Sequence, residues 1–229
     1  TDNSHEIISS YNDPRIKSFK INNDGVIAIS RNHGIKNSKA KWIAFLDSDD
    51  IWYKTKLSTL FHYTSKSYDI ICSNEYEHKI NTGQKKANYY NLKTDNFYSE
   101  LLIHGNKLST SSTVVRRSFM KNKNLLFNEN RDFISVEDYD LWLQIALKKG
   151  SFAFCREFLG EYRIHSNNLS NNFDLHHNNL KKLLLMHVFE IQEFSDNYKL
   201  WELIEPRLKL IEIRYHYSQN ILNGIRFSI

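Results

Sequence analysis

Asp47-Ser48-Asp49-Asp50 sets three carboxylates within four residues, directly after the apolar run Trp42-Ile-Ala-Phe-Leu46. Carboxylates this close repel one another and raise each other's pKa. A hard divalent cation relieves that conflict, and oxygen ligands select Mg²⁺ or Mn²⁺ over softer metals. Such a cation can bridge the phosphates of a nucleotide diphosphate and neutralise it as a leaving group. The plainer alternative is an acidic, solvated strand-to-loop turn, and a bare acidic string argues for no more than that. A second acidic pair opens the segment Val136-Glu137-Asp138-Tyr139-Asp140-Leu141-Trp142. Capping and the helix dipole favour acids at a helix start, but a carboxylate there can also take a proton from an attacking hydroxyl. His165, in Tyr162-Arg163-Ile164-His165-Ser166-Asn167-Asn168, could complete a metal shell or touch a phosphate. Taken alone, such a His is more often a surface or satisfied core residue. Arg31, in Ser30-Arg31-Asn32, could fork onto a phosphate or simply face solvent.

The elements that would position these groups read as strand, helix, strand, helix, strand. Residues 15–21 (Arg15-Ile-Lys-Ser-Phe-Lys-Ile21) alternate polar and apolar like a half-buried strand. Residues 26–35 read as a helix. The run 42–46 resembles a strand buried on both faces, as in parallel sheets. Leu57, Leu60, Phe61 and Thr64 fall at helical spacing over 54–66, and Ser67 to Ser73 returns to a strand. This order implies a doubly wound α/β layer. Thr82-Gly83 marks a hairpin turn. Residues 111–117 predict a strand, 137–149 an amphipathic helix, and 152–165 a strand pair. Beyond about residue 172 the pattern is helical, with stripes Leu180, Leu183, Leu184, His187, Val188, Ile191 and Leu208, Ile211, Tyr215, Leu222. Pro206 is expected to start or kink the last helix.

The 229 residues suit one domain with a helical tail. The formal charge of +5 and the absence of aromatic-interleaved basic blocks fit phosphate-bearing partners or a membrane surface, without nucleic acid. Two cysteines, Cys72 and Cys155, make no disulfide framework and suit a reducing compartment. No signal peptide and no apolar run near the ~18 residues of a membrane span is present, so a cytoplasmic location is expected.

Together the segments GVIAISRNHGIKNSKAKWIAFLDSDDIWYKTKL, SVEDYDLWLQI and YRIHSNNLS resemble the family-two glycosyltransferases, over about residues 1–170 and in the right order. The resemblance implies a GT-A type α/β fold, a Rossmann-like mixed sheet flanked by helices, over 1–170, with a helical extension over 171–229. It implies Mn²⁺ or Mg²⁺ at Asp47, Asp49 and His165, and a general base at Asp138 beside Glu137. It places Arg31, Asn32, Asp47, Ser48, Asp50 and Arg163 at a nucleotide-sugar donor. It implies inverting transfer of one sugar to a surface-glycan or lipid-linked acceptor. The two stripes of the C-terminal helices are expected to pack on the α/β part or on each other; the alternative, from the basic residues beside them, is a peripheral contact of the last helix with the anionic inner face of the membrane. Thr1-Asp2-Asn3-Ser4 resembles the residues just after the family's opening strand-helix-strand, so about 30 residues are expected to precede it. A non-catalytic remnant that binds a partner, and a Mg²⁺-dependent phosphoryl enzyme, are the competing readings.

Overall fold

The computed structural model describes residues 3–91, 96–166, 168–169, 172–191, 194 and 196–226, with side chains as far as residue 219. Thr1, Asp2, Asn167 and the side chain of Leu222, named above, lie outside the described residues. In chain order the elements are α1 (Ser4–Ser10), α2 (Ile27–Asn37), β1 (Trp42–Ala44), β2 (Ile51–Trp52), α3 (Lys56–Thr64) and β3 (Ile70–Lys79). Next come β4 (Gln84–Asn88), α4 (Phe97–His104), β5 (Thr113–Arg116), α5 (Arg117–Asn122), α6 (Glu137–Leu147) and β6 (Phe152–Ile164). The chain ends in α7 (Phe173–Met186), a π turn (His187–Ile191) and α8 (Asn197–Arg226).

Six strands form one sheet in the order β1-β5-β3-β6-β2, with β4 folded back onto β3 through the Thr82-Gly83 turn. There Gly83 takes φ +70°, a left-handed angle that suits a residue without Cβ. Only β3 and β6 run parallel among the described pairs. The sheet is therefore mixed rather than doubly wound, because β5 inserts antiparallel between β1 and β3. β1 correspondingly departs from two-sided burial. It pairs on one side only, burying Ile43 and Phe45 while Ala44 and Leu46 face outward.

Three further expectations change. Residues 15–21 form no strand; Ile16, Phe19 and Ile21 are exposed, since alternation needs a partner ladder and no described strand lies alongside. Residues 152–164 form one long strand instead of a pair. Its irregularity is absorbed as register shifts against β3 near Asn74, and Gly160 lets β2 approach: a Cβ there would sit 2.5 Å from the Ile51 carbonyl oxygen. The stripe of α3 splits. Lys56, Leu60 and Tyr63, at i, i+4 and i+7, take the inward side, and Leu57 and Phe61, rotated about 100° away, are exposed.

α6 is buried nearly all round, Tyr139, Leu141, Trp142, Leu143 and Ile145 all lying in the interior, so it is a core helix rather than an amphipathic one. The rings of Phe45 and Phe127 pack against Trp142. α7 and α8 join this same core through Leu180, Leu183, Leu184, Val188, Ile204 and Leu208. Ile191 leaves the stripe because the π turn adds a residue and rotates its far end out of phase. α8 begins at Asn197, where Asp196 accepts the Lys199 amide at 2.9 Å as a cap, so Pro206 lies inside the helix instead of opening it.

Candidate active site

β1 delivers the chain to Asp47, and the β5 side fixes it there: Ser111 Oγ accepts the Asp47 amide at 3.0 Å, and the Trp52 indole donates to the Ser111 carbonyl at 2.7 Å. The last residues of β6 close over the acidic turn from the other side. The Arg163 amide donates to Asp50 Oδ1 at 2.9 Å, and His165 Nε2 lies 3.0 Å from Asp49 Oδ2. Asn168 holds this end together, donating to Asp49 at 3.2 Å and to the Arg163 carbonyl at 3.2 Å while accepting the His165 amide at 2.6 Å. Burial pushes Asp50 up to about 6, against the Ser111 and Arg163 bonds that favour its anion.

α2 supplies the cation. Arg31 donates to Asp47 Oδ1 at 2.7 Å and to Glu137 Oε1 at 2.6 Å, its side chain only 12% exposed and that of Glu137 only 7%. Burial works against the charge on Arg31, but Asp47 and Glu137 outweigh it and raise its pKa. Glu137 is thereby a partner of the arginine. Asp138 has a different setting. It accepts from the Thr110 hydroxyl at 3.2 Å and from the Tyr139 amide at 2.6 Å. Burial, followed by the neighbouring Glu137, pushes its carboxyl up to about 7, so it exchanges a proton near neutrality.

Asp47, Ser48, Asp49, Asp50, Glu137 and Asp138 line one cavity of about 470 Å³, together with Arg31. His165 reaches it through Asp49. Besides His165, two expected members stand outside its wall. Asn32 is buried behind the site, clamping the Phe127 backbone through its amide and carbonyl, and Arg163 contributes its backbone to Asp50. The cavity lining also includes residues that the sequence did not single out: Glu77, Tyr90, Asn106, Ser135 and His176. The hydroxyl run Ser109-Thr110-Ser111 was a usable signal, since hydroxyls before a strand can bond a facing turn. No local spacing pointed to His176.

Among the described residues no group of three or more His, Cys, Asp and Glu side chains is arranged to hold a metal ion. Asp49 and His165 form a two-ligand corner of carboxylate oxygen and imidazole nitrogen, and Asp47 is engaged by Arg31. Mg²⁺-type sites commonly use one or two protein carboxylates and complete their shell with substrate phosphates and water, so this corner fits such a cation.

The sequence model "Glycosyl transferase family 2" matches residues 1–123. The chain belongs to glycosyl transferase family 2. This family-2 chain is 33% identical over 75% of its length to the Escherichia coli protein named UDP-Glc:alpha-D-GlcNAc-diphosphoundecaprenol beta-1,3-glucosyltransferase WfaP, covering 65% of that protein. It is 25% identical over 75% of its length to a putative teichuronic acid biosynthesis glycosyltransferase of Bacillus subtilis, TuaG, covering 67% of it. Its fold superposes on that of S. aureus TarS 1-349 crystallised with UDP-GlcNAc, with TM-score 0.64 and 14% identity, covering 89% of this chain and 58% of that one. The fold is thus the GT-A type, a mixed sheet flanked by helices. The family-2 chain spans less than two thirds of the length of WfaP and of TarS.

Proposed function

We propose that the family-2 chain carries the catalytic centre of a metal-dependent, inverting glycosyltransferase that moves one sugar from a UDP-sugar to a lipid-diphosphate-linked glycan of the cell envelope. The observation that carries this reading is the single cavity holding Asp47 and Asp49 at one side and the near-neutral carboxyl of Asp138 at another. The names of WfaP and TarS supply the donor class, and that of WfaP the acceptor class.

In this reading Asp138, ionised, accepts the proton of the acceptor hydroxyl as its oxygen bonds to the anomeric carbon and the bond to the diphosphate breaks. The products are the glycoside and UDP, with the anomeric configuration inverted by the in-line displacement. Glu137 and Asp47 hold Arg31 at the diphosphate side, where its free donors favour phosphate. Asp49 and His165, with Asp47, would hold Mn²⁺ or Mg²⁺, which supplies charge neutralisation to the leaving diphosphate. Ser48 and Asp50 complete the donor side.

α8 carries a second, outward apolar stripe, Leu203, Leu210, Ile213 and Tyr217, beside the exposed Lys199 and Arg214. That face suits contact with an anionic membrane surface, where a lipid-linked acceptor resides. No described helix is long and apolar enough to cross a membrane. In this reading the part before about residue 170 carries the catalytic groups, and the outward face of α8 makes the surface contact, while α7 adds His176 to the cavity.

The deciding experiment is a nucleotide-sugar panel with Mn²⁺, run on the full-length protein with a GlcNAc-diphosphate-lipid acceptor. Acceptor-dependent UDP release from UDP-glucose or another member is expected. Nucleotide binding with no release across the panel would favour the remnant reading instead.

A further inference from the structure

The turn before Glu137 is held in an unusual shape by α7. Ser135 takes φ +69°, a left-handed angle that costs a residue with a Cβ on the order of 1 kcal/mol or more unless its surroundings enforce it. Its hydroxyl lies 3.1 Å from His176 Nδ1, in the first turn of α7. Both residues line the cavity that contains Asp138. His176 Nε2 makes no hydrogen bond to any described residue, so one ring nitrogen is committed to the turn and the other remains for a guest. Burial lowers the pKa of His176, and His177 adds to the effect against the opposing Ser135 bond, so the imidazole is neutral at pH 7. A neutral ring beside Glu137 and Asp138 offers little to a phosphate and suits an uncharged polar group.

We propose that Ser135 and His176 form a sugar-hydroxyl contact, in which His176 Nε2 hydrogen-bonds a hydroxyl of one of the two sugars that meet at Asp138. The contact rests on the transferase reading above. It assigns a substrate contact to α7, beyond the acidic segments that the family resemblance marks. The sugar is either the donor ring or the acceptor ring; both present the same chemistry.

Two substitutions separate binding from packing. His176→Asn keeps a group near the Nδ1 position for Ser135 and deletes Nε2, and His176→Gln places a polar group near the Nε2 position. Calorimetric titration of the full-length protein with UDP, UDP-glucose and a short-chain GlcNAc-diphosphate lipid reads the contact without turnover. His176→Asn is expected to weaken one sugar ligand about tenfold, the scale of one lost hydrogen bond, with UDP unchanged and His176→Gln recovering most of the loss. Weakening of UDP-glucose alone assigns the donor ring, and weakening of the lipid-linked sugar alone assigns the acceptor ring. Unchanged affinity for both in a folded His176→Asn protein overturns the contact and leaves only a packing role. A wild-type protein that binds no member of the nucleotide-sugar panel and no lipid-linked sugar refutes the transferase reading itself and the contact with it.

Discussion

Glu137 and Asp138 are adjacent yet face different partners, and the proposed roles rest on that difference. Glu137 spends one oxygen on Arg31, whereas Asp138 meets a hydroxyl and an amide within the cavity. Asp138→Asn is expected to lower turnover by ~10²-fold or more while UDP affinity survives. A crippling Glu137→Gln beside a mild Asp138→Asn would reverse the assignment. Because the base works only when ionised, turnover should rise as pH increases through about 7 and flatten above it. The same shift has a stability consequence of fixed sign. With its folded-state pKa raised above the ordinary carboxylate range, Asp138 holds its proton more tightly in the fold than in the unfolded chain. The fold therefore loses stability from this group as pH climbs from about 4 to 7. Thermal melts should show Asp138→Asn gaining more over wild type at pH 8 than at pH 4. At the diphosphate side, Asp49→Asn removes the carboxylate that faces His165, and UDP binding should lose its dependence on Mn²⁺ or Mg²⁺. Equal UDP affinity of the wild type in excess chelator would refute a metal role there.

At the scale of elements, α6 depends on the C-terminal helices. His187, in the π turn, is wholly buried, with Nε2 2.9 Å from Asp140 Oδ1 and Nδ1 2.9 Å from the Tyr98 hydroxyl. Asp140 also accepts from Gln144 at 2.6 Å. His187→Leu leaves a buried carboxylate short of a partner, and removal of one member of such a pair costs about 3 kcal/mol. Urea denaturation should record that loss, and a change under about 1 kcal/mol, the scale of a single ordinary hydrogen bond, would show Gln144 to be sufficient. Little of this was legible beforehand. His187 fell on an apolar stripe and read as core, because periodicity reports which face a residue takes and says nothing of what it meets there. The helices themselves were legible, read at 26–35 and 137–149 and found at 27–37 and 137–147, since helix-forming patterns act within a few residues.

For the whole molecule, the outward stripe of α8 is the feature that reaches beyond the fold. The protein is expected to co-sediment with anionic vesicles at low salt and to be released as salt rises, since each basic residue near the surface contributes about 1 kcal/mol and salt screens it. Leu210→Glu should reduce the binding without altering UDP affinity; binding that persists unchanged would leave α8 without a lipid role. Local spacing was enough to establish the chemical groups and many of the strands and helices, because carboxylate clusters, apolar runs and turn residues act within a few neighbours; the family was legible from the resemblance of three whole segments. It took the folded chain to show that Arg31 lies between Asp47 and Glu137, that His165 closes on Asp49, and that α7 brings His176 to the cavity. The same holds for β5 separating β1 from β3, and for residues 15–21 pairing with no described strand. These contacts join residues separated by as many as 116 positions. They are set by which surfaces pack together, and local periodicity carries no record of a partner that far along the chain.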